Sequence, residues 1–111
     1  MNYTNDQLRA LLAKMLPETV RIGHDYGIYY NGKDRGNGRV LDTELLHIVS
    51  LVEAGLTKNQ QYEYALNLLD KVAVHQPFHE GNQCDQDYFG TSHATWQQRT
   101  IALAEVKGVT L

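Results

Sequence analysis

Residues Asp42 to Val74 read DTELLHIVSLVEAGLTKNQQYEYALNLLDKVAV. The stretch predicts two helices joined by a tight turn at Gly55-Leu56-Thr57. The first helix carries Leu45, Leu46, Ile48, Val49, Leu51 and Val52, which at about 100° per residue cover an arc of roughly 220°. So wide an arc leaves little surface for water, and the helix over 43–54 is expected to be the most enclosed of the fold. The second helix is narrower. Tyr62, Ala65, Leu66, Leu69, Val72 and Ala73 share one stripe, expected to face the core, while Gln60, Glu63, Asn67, Asp70 and Lys71 face away. Thr57 and Gln60 make a capping-box pattern at its start, and it is expected to run to Val74.

Two more such patterns mark helix starts. Thr4 with Gln7 opens a helix expected over 5–15, with Leu8, Leu11, Leu12 and Met15 at helical spacing and Pro17 closing it off. Thr95 with Gln98 opens another, expected to end near Lys107 with Gly108 as its cap. Asp42 or Thr43 is the expected cap of the central helix, and Gly55 its terminator. Between the first two helices Val20 and Ile22 alternate with Arg21, Gly23-His24-Asp25 supplies a turn, and Ile28-Tyr29-Tyr30 is rich in β-favouring residues. This predicts a short antiparallel hairpin, with a further short strand at Arg39–Leu41. A hairpin alone is marginal, so it must pack on the helices. The expected fold is α+β: one domain over 1–111, about four helices packed around a central helix, with a small antiparallel β-hairpin.

Composition narrows the classes. The chain has 111 residues, 42% hydrophobic and 21% charged, as ordinary soluble domains do. No apolar run approaches the roughly 18 residues that span a bilayer, and no secretory leader pattern is present, so no membrane partner is expected. One cysteine makes no internal disulfide, which fits a reducing, cytoplasmic setting. A net charge of −3 argues against a general nucleic-acid binder. Seven tyrosines beside one Trp and two Phe favour contact surfaces, since tyrosine offers apolar area with a polar tip. Tyr29 and Tyr30 are the residues read as interaction surface; Tyr62 is read as half-buried at the core edge.

Four groups of residues could carry chemistry. His75, His79, Cys84, Asp85 and Asp87 are metal-ligand types in the aperiodic segment 75–92, and would serve a metal-dependent enzyme. Their spacing matches no standard zinc signature and Pro77 interrupts the two histidines, so no metal or other cofactor is expected. Acidic neighbours would raise the Cys84 thiol rather than activate it. Lys33, Arg35 and Arg39 lie in a polar loop with Gly32, Gly36 and Gly38, suited to hold a small phosphorylated ligand or nucleotide, although the loop lacks the Walker pattern. Arg99 lies within the Trp96, Leu103 and Val106 stripe of the last helix, where a guanidinium needs a partner. Glu80, Asp85 and Asp87 are its expected carboxylates. The turn Val52–Thr57 resembles that of helix-turn-helix DNA-binding domains, but no basic recognition helix follows.

One resemblance reaches beyond local physics. Residues 94–103, Ala-Thr-Trp-Gln-Gln-Arg-Thr-Ile-Ala-Leu, resemble an Ala-Thr/Ser-x-x-Gln-Arg-x-x-Ala-Leu ending of small phage and prophage proteins of unknown function. The resemblance implies a phage accessory protein. The expectation is a non-enzymatic binding module acting on a host protein, in an antiviral pathway for instance. The alternatives are a ligand-sequestering protein using Arg35, Arg39 and Arg99, and the metal-dependent enzyme. Association with a second copy is a further expectation.

Overall fold

A computed structural model describes residues 3–31, 38–73 and 94–111. Among these, four α-helices and a two-stranded antiparallel sheet form the fold: α1 (Asn5–Met15), β1 (Val20–Ile22), β2 (Ile28–Tyr30), α2 (Leu45–Ala54), α3 (Lys58–Ala73) and α4 (Trp96–Lys107). This is the expected α+β class.

Helix starts follow the capping boxes. Thr4 Oγ1 accepts from the Gln7 N–H at 3.1 Å, and Gln7 Oε1 accepts from the Thr4 N–H at 2.9 Å. Thr57 with Gln60, and Thr95 with Gln98, repeat the exchange at 3.0 and 3.2 Å. Gly108 closes α4 at φ 69°, a left-handed conformation that glycine adopts without steric cost. The start of α2 departs from expectation. A 3-10 turn over Asp42–Glu44 precedes it, and neither Asp42 nor Thr43 caps it. Glu44 Oε1 instead accepts from the Leu41 N–H at 3.1 Å. Gly55 ends α2 at φ −87°, so its left-handed freedom is unused.

The most enclosed helix is α4, not α2. It packs against α1, α2 and α3, with Thr100, Ala102, Leu103 and Ala104 all buried. Small side chains let three neighbours approach at once, and hydropathy undervalues them. The buried Thr100 hydroxyl is satisfied within the helix, donating to the Trp96 carbonyl at 2.7 Å. In α2, Leu45, Ile48, Val49 and Val52 are buried as expected, but Leu46 and Leu51 at the two ends of the apolar arc are 52% and 39% exposed. Trp96 packs on the core edge, with the Arg9 guanidinium 5.8 Å from its ring centre. Arg9 also pairs with Asp6 and with Asp42, each at 3.2 Å, and so ties α1 to the start of α2.

Of the stripe read on α3, Tyr62, Ala65 and Leu66 are turned outward, whereas Leu69 packs on the core. Tyr64 and Leu68 pack into the core, while Tyr62 is 68% and Leu66 50% exposed. Lys71, expected to face away, lies on the inner side and pairs with Glu105 of α4 at 2.8 Å. The side chains of Val72 and Ala73, and residue Val74, lie outside the described residues. No described helix is long and apolar enough to cross a membrane.

Candidate functional site

Among the described residues, the hairpin brings together two read as functional, Tyr29 and Arg39. Val20 pairs with Tyr30, Arg21 with Tyr29 and Ile22 with Ile28. Side chains alternate across a strand, so Val20, Ile28 and Tyr30 face the core and Arg21 and Tyr29 face out. Arg39 adds a third member through a bridge to Tyr29, flanked by bonds from Tyr30 N to Gly38 O (2.9 Å) and from Val40 N to Ile28 O (2.7 Å). Arg21, Tyr29 and Arg39 therefore form a row across the outer face, one residue from each of three adjacent segments.

Two glycines lie against the row. A Cβ on Gly23 would lie 2.5 Å from the Tyr29 ring, and one on Gly27 would lie 2.9 Å from Arg39 Nε. The missing side chain of each leaves room for its neighbour, the Tyr29 ring over Gly23 and the Arg39 guanidinium over Gly27. Asp25 organises the tip: the Tyr29 hydroxyl donates to Oδ2 at 2.8 Å, the Gly27 N–H to Oδ1 at 3.1 Å, and Arg39 Nη1 lies 3.4 Å from Oδ2. The Tyr29 hydrogen bond, then that of Gly27, holds the Asp25 carboxyl below its ordinary range, and the same bond raises the Tyr29 phenol. Tyr29 thus keeps its proton at neutral pH and serves as a fixed donor, not as a base. The Arg21 guanidinium sits 5.1 Å from the Tyr29 ring centre, within reach of a cation–π attraction. Among the described residues, the result is a phenol ring between two cations, with the Asp25 carboxylate bound to its hydroxyl. Such a face offers charge-assisted donors and apolar area together.

Tyr26 completes the tip. It is 60% exposed and holds φ 61°, a backbone region that non-glycine residues seldom occupy and that often marks function. Nothing in the composition or periodicity points to it. Tyr30, expected on the surface, is instead 9% exposed, and its hydroxyl donates to Glu44 Oε2 at 2.7 Å. Strand alternation decides this: a residue next to an outward Tyr29 must face in. Lys33 and Arg35 lie outside the described residues, as do His75, His79, Glu80, Cys84, Asp85 and Asp87.

Arg99 is not part of this face. It is partly buried and paired, as expected: Glu53 of α2 lies at 3.1 Å, and Arg99 Nε donates to the Ala94 carbonyl at 3.0 Å, while the carboxylates expected for it, Glu80, Asp85 and Asp87, lie outside the described residues. The Tyr64 hydroxyl donates to the same Glu53 oxygen. Three helices are thus joined through one carboxylate. Burial first, and the Glu53 hydrogen bond second, hold the Tyr64 phenol far above its ordinary range. A raised folded-state value contributes stability that is complete below the unfolded value near 10 and is lost as pH rises beyond it. The stability advantage of the native chain over Tyr64→Phe is therefore expected to be constant from pH 6 to about 9 and to shrink steadily above about 10. Urea midpoints of both proteins across that range provide the measurement; an advantage that does not change would contradict the buried hydrogen bond.

Comparison of the chain with family models, with curated proteins and with solved structures finds no match.

Proposed function

We propose that this chain is a non-enzymatic binding module, and that the outer face of its hairpin holds an acidic patch on a partner protein. The row Arg21–Tyr29–Arg39 is the observation that carries the reading. Arginine and tyrosine are the side chains most enriched in the energetic centres of protein interfaces. Adjacent strands lie about 4.8 Å apart, so the row is about 10 Å wide. Among the described residues its members lie side by side and do not converge, which suits a protein surface better than a small anion. The ion pair of Arg39 with Asp25 is half exposed on both sides, and such pairs cost little to exchange for another carboxylate. The phage-like ending over residues 94–103 supports a host protein as the partner.

A photo-crosslinking amino acid at position 26 tests this, because Tyr26 borders the row without belonging to it. Irradiation in host lysate is expected to give a discrete protein adduct. Arg21→Glu with Arg39→Glu should abolish it, whereas Arg21→Lys with Arg39→Lys should retain part of it. An adduct indifferent to charge reversal would overturn the assignment of the face. A retained phosphorylated small molecule in native mass spectra, lost in the same charge-reversed variant, would favour the ligand-sequestering alternative.

A further inference from the structure

The outward side of α3 carries a second, independent surface. Asn59, Tyr62, Leu66 and Leu69 follow one another at spacings of three, four and three, the alternation of seam positions in a two-helix coil. Asn59, Tyr62 and Leu66 lie on the side of α3 opposite Tyr64 and Leu68, which the core holds, and Leu69 at the edge of the stripe also packs on the core. Tyr62 is 68% and Leu66 50% exposed, Asn59 is exposed and Leu69 half-buried. One edge of the stripe carries Lys58 and Ala65, and the other Glu63 and Asp70, all exposed. An amphipathic helix with an apolar stripe on its solvent side is built for a protein partner.

We propose that the occupant of this stripe is a second copy of the chain, with the two α3 helices side by side and parallel. Charge selects this occupant and its direction. In a parallel pair, the residue before one seam position faces the residue after another, five positions further along the partner. That places Lys58 opposite the partner's Glu63, and two-fold symmetry makes the contact twice. In an antiparallel pair like edges meet, and Glu63 and Asp70 would face the same acidic residues of the partner. Asn59 agrees: an asparagine at the first seam position pairs with its own equivalent across a parallel two-stranded interface and fixes its register. The helix has 16 residues and is about 24 Å long. A seam of that length falls below the standard interface size, so the dimer is weak and reversible. It leaves the hairpin face of each copy for another partner, and a pair of weak faces on one dimer gains avidity.

Sedimentation velocity of the full chain, from about 1 µM to about 1 mM, brackets association of this strength. The native chain is expected to shift from monomer to dimer across the series. Lys58→Glu and Glu63→Lys should each weaken the dimer by at least about tenfold, since each turns two attractions into repulsions. An equimolar mixture of the two variants should associate again. In the mixed dimer one contact joins the two introduced charges, which are opposite in sign, and the other joins a native Lys58 to a native Glu63. Leu66→Glu should be monomeric throughout and keep the native urea midpoint. A native chain that stays monomeric to the top of the range overturns the proposal. A mixture that fails to associate overturns the parallel arrangement. A large stability loss in Leu66→Glu would show that the stripe is covered within its own chain, and would overturn it as well.

Discussion

Leu103→Ala is expected to lower the free energy of unfolding by about 3–5 kcal/mol, toward the top of the range for buried leucines. Leu103 is 0% exposed on α4, the helix that α1, α2 and α3 all pack against. The cost of such a truncation depends on whether neighbours can move into the space. Here Ala102, Ala104 and Thr100 already bring the surrounding backbones close, so little side chain remains free to fill a cavity. Leu45→Ala, at 1% exposure on α2, is the comparison. It should cost about 2–5 kcal/mol, and less than Leu103, because the 3-10 turn before it can shift. Urea unfolding of the three proteins decides the order. A Leu103→Ala midpoint equal to the native one, with an unchanged slope, would show that α4 is not the hub of the core.

The second large effect is expected at Arg99. Arg99→Met keeps much of the packing volume but removes the cation from Glu53, and should cost about 2–3 kcal/mol. That is below the range for fully buried pairs, because the side chains of Arg99 and Glu53 are 20% and 26% exposed. Removing the cation leaves a half-buried carboxylate facing Tyr64, and it withdraws a donor from the Ala94 carbonyl. Most of the penalty is that unpaired charge, so Glu53→Gln in the Arg99→Met background should restore part of the stability. Arg99→Ala should cost more than Arg99→Met, by the packing of the lost stem. Equal, native-like stability of both variants would make Arg99 an ordinary surface residue. Native stability with loss of binding to the hairpin's partner would place Arg99 in a site after all.

Much of the architecture is legible in neighbours along the chain. Thr4 with Gln7, Thr57 with Gln60 and Thr95 with Gln98 set three helix starts through bonds that span three residues, and such bonds need nothing from the rest of the fold. The hairpin follows from the alternation of Val20, Arg21 and Ile22 against Ile28, Tyr29 and Tyr30. Of the proposed binding face, Tyr29 and Arg39 are readable as residue types with a use, but not as a pair, because the bridge that joins them is a matter of strand placement. Arg21 reads only as the polar residue between Val20 and Ile22. Its role depends on a ring eight residues later.

Tertiary structure alone decided which side of α3 meets the core. Helix α3 has two apolar sides, Tyr64 with Leu68 and Tyr62 with Leu66 and Leu69, and periodicity finds both without ranking them. The ranking comes from what the neighbouring helices offer opposite: Glu53 of α2 accepts the Tyr64 hydroxyl, and Glu105 of α4 is placed for Lys71. The same holds for the pairing of Arg99 with Glu53, 46 residues away on α2, too far along the chain for any local pattern to record. Helix starts, turns and strand alternation are short-range and belong to the sequence by itself. The choice of buried face and of charge partner is a competition between surfaces, and only the assembled fold brings those surfaces together.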